Sequence, residues 1–131
     1  MTVKFFKEIC TSDAPAPVGP YSQAIQVGNT LFCSGQIALD PATGALVGET
    51  PAAQTEKLMD NMRAVLEAAG LNVHHIVKTT IFLLDMKAFT EVNTVYERKL
   101  EGHKPARSTV AVSALPKGAL VEIECIAVKE R

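Results

Sequence analysis

Lys104-Pro-Ala-Arg-Ser-Thr-Val-Ala-Val112 and, a short loop later, Val121-Glu-Ile-Glu-Cys125 decide how this chain is read. Each is a strand by residue type, and each carries charge where an apolar residue is the default. Arg107 follows Pro105 and Ala106 at the mouth of the first strand. In the second, Glu122 and Glu124 alternate with Val121, Ile123 and Cys125, so both carboxylates point to one sheet face and the apolar side chains to the other. Paired side by side, the two strands would line one cleft with a fixed guanidinium and a fixed carboxylate. Such a cleft suits a small anionic substrate attacked by water.

Outward from these strands, the pattern alternates. Val3 to Ile9 reads as a short first strand, and Ser12-Asp-Ala-Pro-Ala-Pro-Val-Gly-Pro20 as a stiff loop delivering Tyr21 to a defined place. Ser22–Val27 and Thr30–Ile37 form a hairpin about Gly28-Asn29. Ser34-Gly35 interrupts the second strand, which predicts a bulge or a ligand close to the backbone. Thr50 and Pro51 open a helix as N-cap and first residue, and Gly70 closes it. Leu58, Met62, Val65, Leu66 and Ala69 form its buried stripe. Val77 to Leu84 is a strand. A second helix follows, with Thr90 as N-cap, Phe89 as staple and Val92, Val95, Tyr96 and Leu100 as its stripe.

Two helices cover one face of such a sheet. Yet Ile81–Leu84 and Leu120–Val128 place apolar groups on both faces. The second face therefore calls for a homo-oligomer whose sheets meet through it.

Composition narrows the classes. The chain has 131 residues, 47% apolar and 21% charged, which predicts one ordered domain spanning 1–131. A formal charge of −1, without a basic stripe, removes the electrostatic reason to expect nucleic acid or membrane as partner. No apolar run approaches the roughly 20 residues that span a bilayer. Met1 to Ile9 lacks a signal-peptide core, and Cys10, Cys33 and Cys125 show no disulfide spacing, so a cytoplasmic protein with reduced thiols is expected. His74, His75 and His103 have no metal-ligand spacing, and neither a nucleophile elbow nor a phosphate loop is present.

The candidate chemistry rests on few residues. Arginine holds a carboxylate by two parallel hydrogen bonds, and Pro105 and Gly35 shape the approach to Arg107. The plainer alternative is a structural ion pair. A pocket carboxylate can hold or deprotonate water, although alternating glutamates are also the ordinary wet face of an edge strand. Tyr21 suits a lid over a ligand. Asn93 faces solvent or bonds a substrate through its amide.

Several segments together resemble the reactive intermediate deaminase A (RidA, or YjgF) family. They are Gly19-Pro-Tyr-Ser-Gln-Ala24, Ser34-Gly-Gln36, Ala53-Gln54 with Asn61, Ala68-Ala-Gly-Leu71, Ile76-Val-Lys-Thr-Thr80, Val92-Asn93 with Tyr96, Pro105-Ala-Arg-Ser108, Leu115-Pro-Lys-Gly118 and Glu122-Ile-Glu124. They span most of the chain in the family order. The resemblance implies a chorismate-mutase-like α+β fold, with a mixed sheet and two helices on one face, assembled as a homotrimer with clefts between subunits.

It also implies hydrolysis of 2-imino acids, such as 2-iminobutanoate and 2-iminopropanoate, to the 2-oxo acid and ammonia. These imines arise from enamines released by pyridoxal-phosphate-dependent dehydratases, and the family enzyme needs no metal or organic cofactor. By position, Arg107 is similar to the arginine that clamps the substrate carboxylate, and Glu122 to the acid that positions water. Tyr21, Ser34, Gly35 and Asn93 match other pocket positions. Thr109 stands where many members have cysteine, so a thiol nucleophile is excluded here while a backbone N–H at that place survives. Two rival readings are a small-carboxylate sensor without turnover and a ribonuclease or translation inhibitor.

Overall fold

The computed structural model describes residues 5–130. Among them the elements run β1 (Lys7–Ile9), β2 (Ala24–Val27), β3 (Thr30–Gln36), α1 (Pro51–Ala68), β4 (Ile76–Leu83), α2 (Phe89–Lys99), β5 (Ala106–Ala111) and β6 (Val121–Val128). The described first strand is shorter than expected, and Val3 and Lys4 lie outside the described residues. Gly28 and Asn29 form the two-residue turn between β2 and β3, with Val27 opposite Thr30.

All six strands join one sheet in the order β1-β2-β3-β6-β4-β5. Neighbours are antiparallel except β4 and β5, which run parallel because α2 carries the chain back between them. This overturns the side-by-side pairing of the Arg107 and Glu122 strands. β4 stands between: Arg107 neighbours Thr79, and Glu122 neighbours Phe82. Burial explains the order. β6 buries Val121, Ile123, Cys125 and Ala127 and takes a central place, whereas β5 is exposed along most of its length and suits an edge.

α1 begins as the sequence predicts. Thr50 Oγ1 accepts a hydrogen bond from the Ala53 N–H at 3.1 Å, and Pro51 follows. Leu58, Met62, Val65 and Leu66 sink into the core with Leu31, Ile81, Leu83 and Ile123 of the sheet. α2 starts one residue before the expected cap. Its N-cap is Ala88, with no side-chain bond, because a preceding 3₁₀ turn capped by Asp85 leads straight into it. Phe89 is thus the first helical residue, free to serve elsewhere.

Cys33 and Cys125 face each other across β3 and β6 as buried free thiols. On the opposite sheet face, Phe32, Val110 and Val128 are 46%, 43% and 38% exposed. No helix of the described residues is long and apolar enough to cross a membrane.

Candidate active site

The predicted residues other than Thr109 fall into two hollows on opposite faces of the sheet. Thr79 in β4 bonds Tyr96 of α2 through its hydroxyl at 2.6 Å, so Arg107, beside Thr79, lies on the helix face. Thr80 and Phe82, one residue out of step, neighbour Glu124 and Glu122 on the other face.

The first hollow, about 450 Å³, brings together Tyr21, Ser34, Gly35 and Glu122, with Lys117 and Glu124 at its edge. Its walls are loops held by buried amides. Gln23 accepts from the Thr11 N–H at 2.8 Å and donates to the Pro15 carbonyl at 2.9 Å. Gln54 spans the Gly48 carbonyl and the Leu120 N–H, and Asn61 donates to the Leu39 carbonyl at 2.9 Å. Backbone groups that would otherwise be orphaned in these loops are satisfied and fixed.

Tyr21 is half exposed at the mouth, at the end of the proline-stiffened loop, its N–H on the Gly19 carbonyl at 2.8 Å. The Ser34 hydroxyl donates to the Ser22 carbonyl at 2.6 Å, which ties down the predicted bulge; the register shifts between Cys33 and Gln36. Burial first, and the charge of Glu124 second, raise the Glu122 carboxyl above its ordinary range.

The second hollow, about 490 Å³, holds Arg107, Asn93 and Tyr96, with His103 and Lys104 along its rim. Asn93 Oδ1 accepts from Arg107 Nη1 at 2.7 Å. The guanidinium carbon lies 5.5 Å from the centre of the Phe89 ring and 5.3 Å from that of Tyr96. One edge of the guanidinium is held, its plane rests on aromatic rings, and no carboxylate of the described residues pairs with it. An ion pair within the described residues therefore does not account for this arginine. It also changes the part of Asn93, whose amide oxygen orients Arg107.

Thr109 lines neither hollow. Its hydroxyl is buried and has no hydrogen-bond partner among the described residues.

A six-stranded mixed sheet with two helices of this kind has counterparts among known proteins. The pattern of the family described as Endoribonuclease L-PSP matches residues 11–129. The chain belongs to this family, the RidA or YjgF family. It is 49% identical to a RutC family protein of Pyrococcus horikoshii over 93% of this chain and 97% of that protein. It is 47% identical to the 2-iminobutanoate/2-iminopropanoate deaminase of Escherichia coli over 94% of this chain and 98% of that enzyme. The crystal structure of the Escherichia coli YjgF gene product superposes with a TM-score of 0.90 at 46% identity, covering 95% of this chain and 99% of that one.

The structure adds Phe89, Tyr96 and Lys117 to the site residues that the sequence offered for this RidA family chain. Phe89 and Tyr96 share with the expected Asn93 the spacing i, i+4 and i+7 of one helix face, and that face meets β5. The spacing was legible; what it faced was not. Lys117, in the first hollow, has a left-handed backbone at φ +56° that no residue-type pattern announces. Among the described residues no cluster of His, Cys, Asp and Glu is placed to hold a metal ion.

Proposed function

We propose that this chain hydrolyses small 2-imino acids to 2-oxo acids and ammonia, in clefts completed by a second copy of itself. One observation carries the reading. Arg107 and Glu122 each lack a partner of opposite charge among the described residues, and they look out from opposite sheet faces. Either half alone is incomplete, and two copies of the trimer expected for the family can bring them together. The family membership and the deaminase named in Escherichia coli support the same chemistry.

In this cleft the free edge of Arg107 grips the substrate carboxylate by two hydrogen bonds. The carbon of a protonated imine is already electrophilic, so orientation and one placed water are the main requirements. Water oxygen adds to that carbon while the C=N π electrons return to nitrogen, and Glu122 takes the water's proton. The same carboxyl then protonates the amine. The carbinolamine hydroxyl gives its proton to the Glu122 carboxylate, its O–H electrons form the C=O bond as the C–N bond breaks, ammonia leaves the 2-oxo acid, and Glu122 releases the proton to solvent. Tyr21 closes the mouth over the bound acid. Phe89, Tyr96 and Asn93 keep the guanidinium in place.

The test uses imine generated in the cuvette by an amino-acid oxidase. Arg107→Ala and Glu122→Gln should each lower kcat/KM by about 100-fold or more. Mixed in equal amounts and allowed to exchange subunits, they should regain about a quarter of the wild-type rate, since one cleft in four then holds both intact side chains. Mixed oligomers without recovery would overturn the shared cleft. A wild type that does not accelerate imine hydrolysis but binds 2-oxobutanoate would make the chain a carboxylate sensor.

A further inference from the structure

Gly35 is not a glycine for the sake of its backbone. Its φ lies outside the left-handed region that Gly28, Gly44, Gly48, Gly70, Gly102 and Gly118 occupy, so an L side chain would be unstrained there. What leaves no room is Glu122. A methyl group at Gly35 would come 2.9 Å from Glu122 Cδ and 3.1 Å from Cγ, and nearer still to Oε2. The whole end of the acid side chain rests on this one residue.

The bulge explains how they meet. Cys33 pairs with Cys125 and Gln36 with Ile123, so β3 has one residue more than β6 over this stretch. Simple alternation from Cys33 would turn residue 35 into the core. The extra residue sends Gln36 inward instead and turns Gly35 towards Glu122. Ser34 holds the bulge from behind, its hydroxyl on the Ser22 carbonyl and its N–H on the Gln23 carbonyl. Meanwhile no hydrogen bond from another described residue holds the Glu122 carboxylate.

We infer that Gly35 is a positioning residue, a steric seat that fixes the Glu122 carboxylate in the cavity while leaving its oxygens free for water and the departing nitrogen. The inference rests on the deaminase reading above. A hydrogen-bond donor in the same place would also orient the carboxylate, but it would occupy a lone pair and weaken the base. Contact with a bare backbone orients it without that cost.

The experiment is a double-variant cycle on the full chain. Gly35→Ala should lower kcat at least about tenfold, with KM for the imine little changed because Arg107 is untouched. The acid limb of its pH–rate profile should move to lower pH, as a carboxylate displaced into solvent is less desolvated. Glu122→Asp is one methylene shorter, so its carboxylate withdraws from the position of Oε2, the atom nearest the added methyl. On that background Gly35→Ala should cost less than about twofold more. Unchanged kcat and pH profile in Gly35→Ala, or losses that simply multiply in the double variant, would overturn the seat. If Gly35→Ala alone is recovered unfolded, the double variant should still fold, and its failure to do so also overturns the seat. Wild-type turnover and its loss in Glu122→Gln, measured in the same series, test the deaminase reading separately.

Discussion

Glu122 shows what a half-buried carboxylate costs the protein that holds it. Burial, then the neighbouring Glu124, raise its carboxyl above the ordinary 4.5. The folded chain therefore favours the protonated acid. Ionisation removes stability as pH rises above 4.5 and through the raised value. Glu122→Gln should accordingly melt at a higher temperature than wild type at pH 7, lose that advantage by about pH 4, and be inactive throughout. Thermal scans across this range decide it, and a variant less stable at pH 7 would contradict the account. Arg107 is the complementary case. Its charge is oriented by an amide and two rings, and no carboxylate of the described residues pairs with it. Both residue types were visible in the sequence because a charge at a strand position asks for a reason. Their separation was not visible, since it depends on β4 lying between them.

At the scale of elements, the two helices are laced together by charge. The Glu56 carboxylate of α1 bonds Arg98 and Lys99 of α2, and Lys99 also reaches Asp60 at 2.6 Å. The bond from Arg98, followed by that from Lys99, holds the Glu56 carboxyl down at about 2. A depressed acid stabilises the fold above the ordinary 4.5, and this contribution fades as pH falls towards about 2. Glu56 is solvent-accessible, so screening limits the contribution to less than about 1 kcal/mol. Glu56→Gln should therefore lower the melting temperature slightly at pH 7 and match wild type near pH 2, where equal melts at both pH values would show the seam to be idle. The start of α1 was legible because Thr50 and Pro51 cap locally. The start of α2 was misplaced by two residues, from Thr90 to Ala88, because the cap that matters belongs to the turn before it, at Asp85. Neighbouring structure overrode a local rule.

For the whole molecule, the open sheet face is the decisive feature. Phe32 and Val110 stand about half exposed on it, on the same face as Glu122. Phe32→Asp would place a charge on the proposed subunit contact. Sedimentation should then show monomers, with deaminase activity falling about tenfold or more. Intact trimers of full activity would show that this face is not the contact. By itself, the sequence determined the hairpin, both helix stripes, the strand periodicities, the family and the residues with chemistry to offer. All of these are local or periodic properties, set by neighbours a few positions away. Only the tertiary structure decided the strand order, the opposite faces of Arg107 and Glu122, the aromatic bed of the arginine and the seat of Glu122 on Gly35. These depend on how much core each strand buries and on a single-residue bulge, and neither is written in any one segment of the chain.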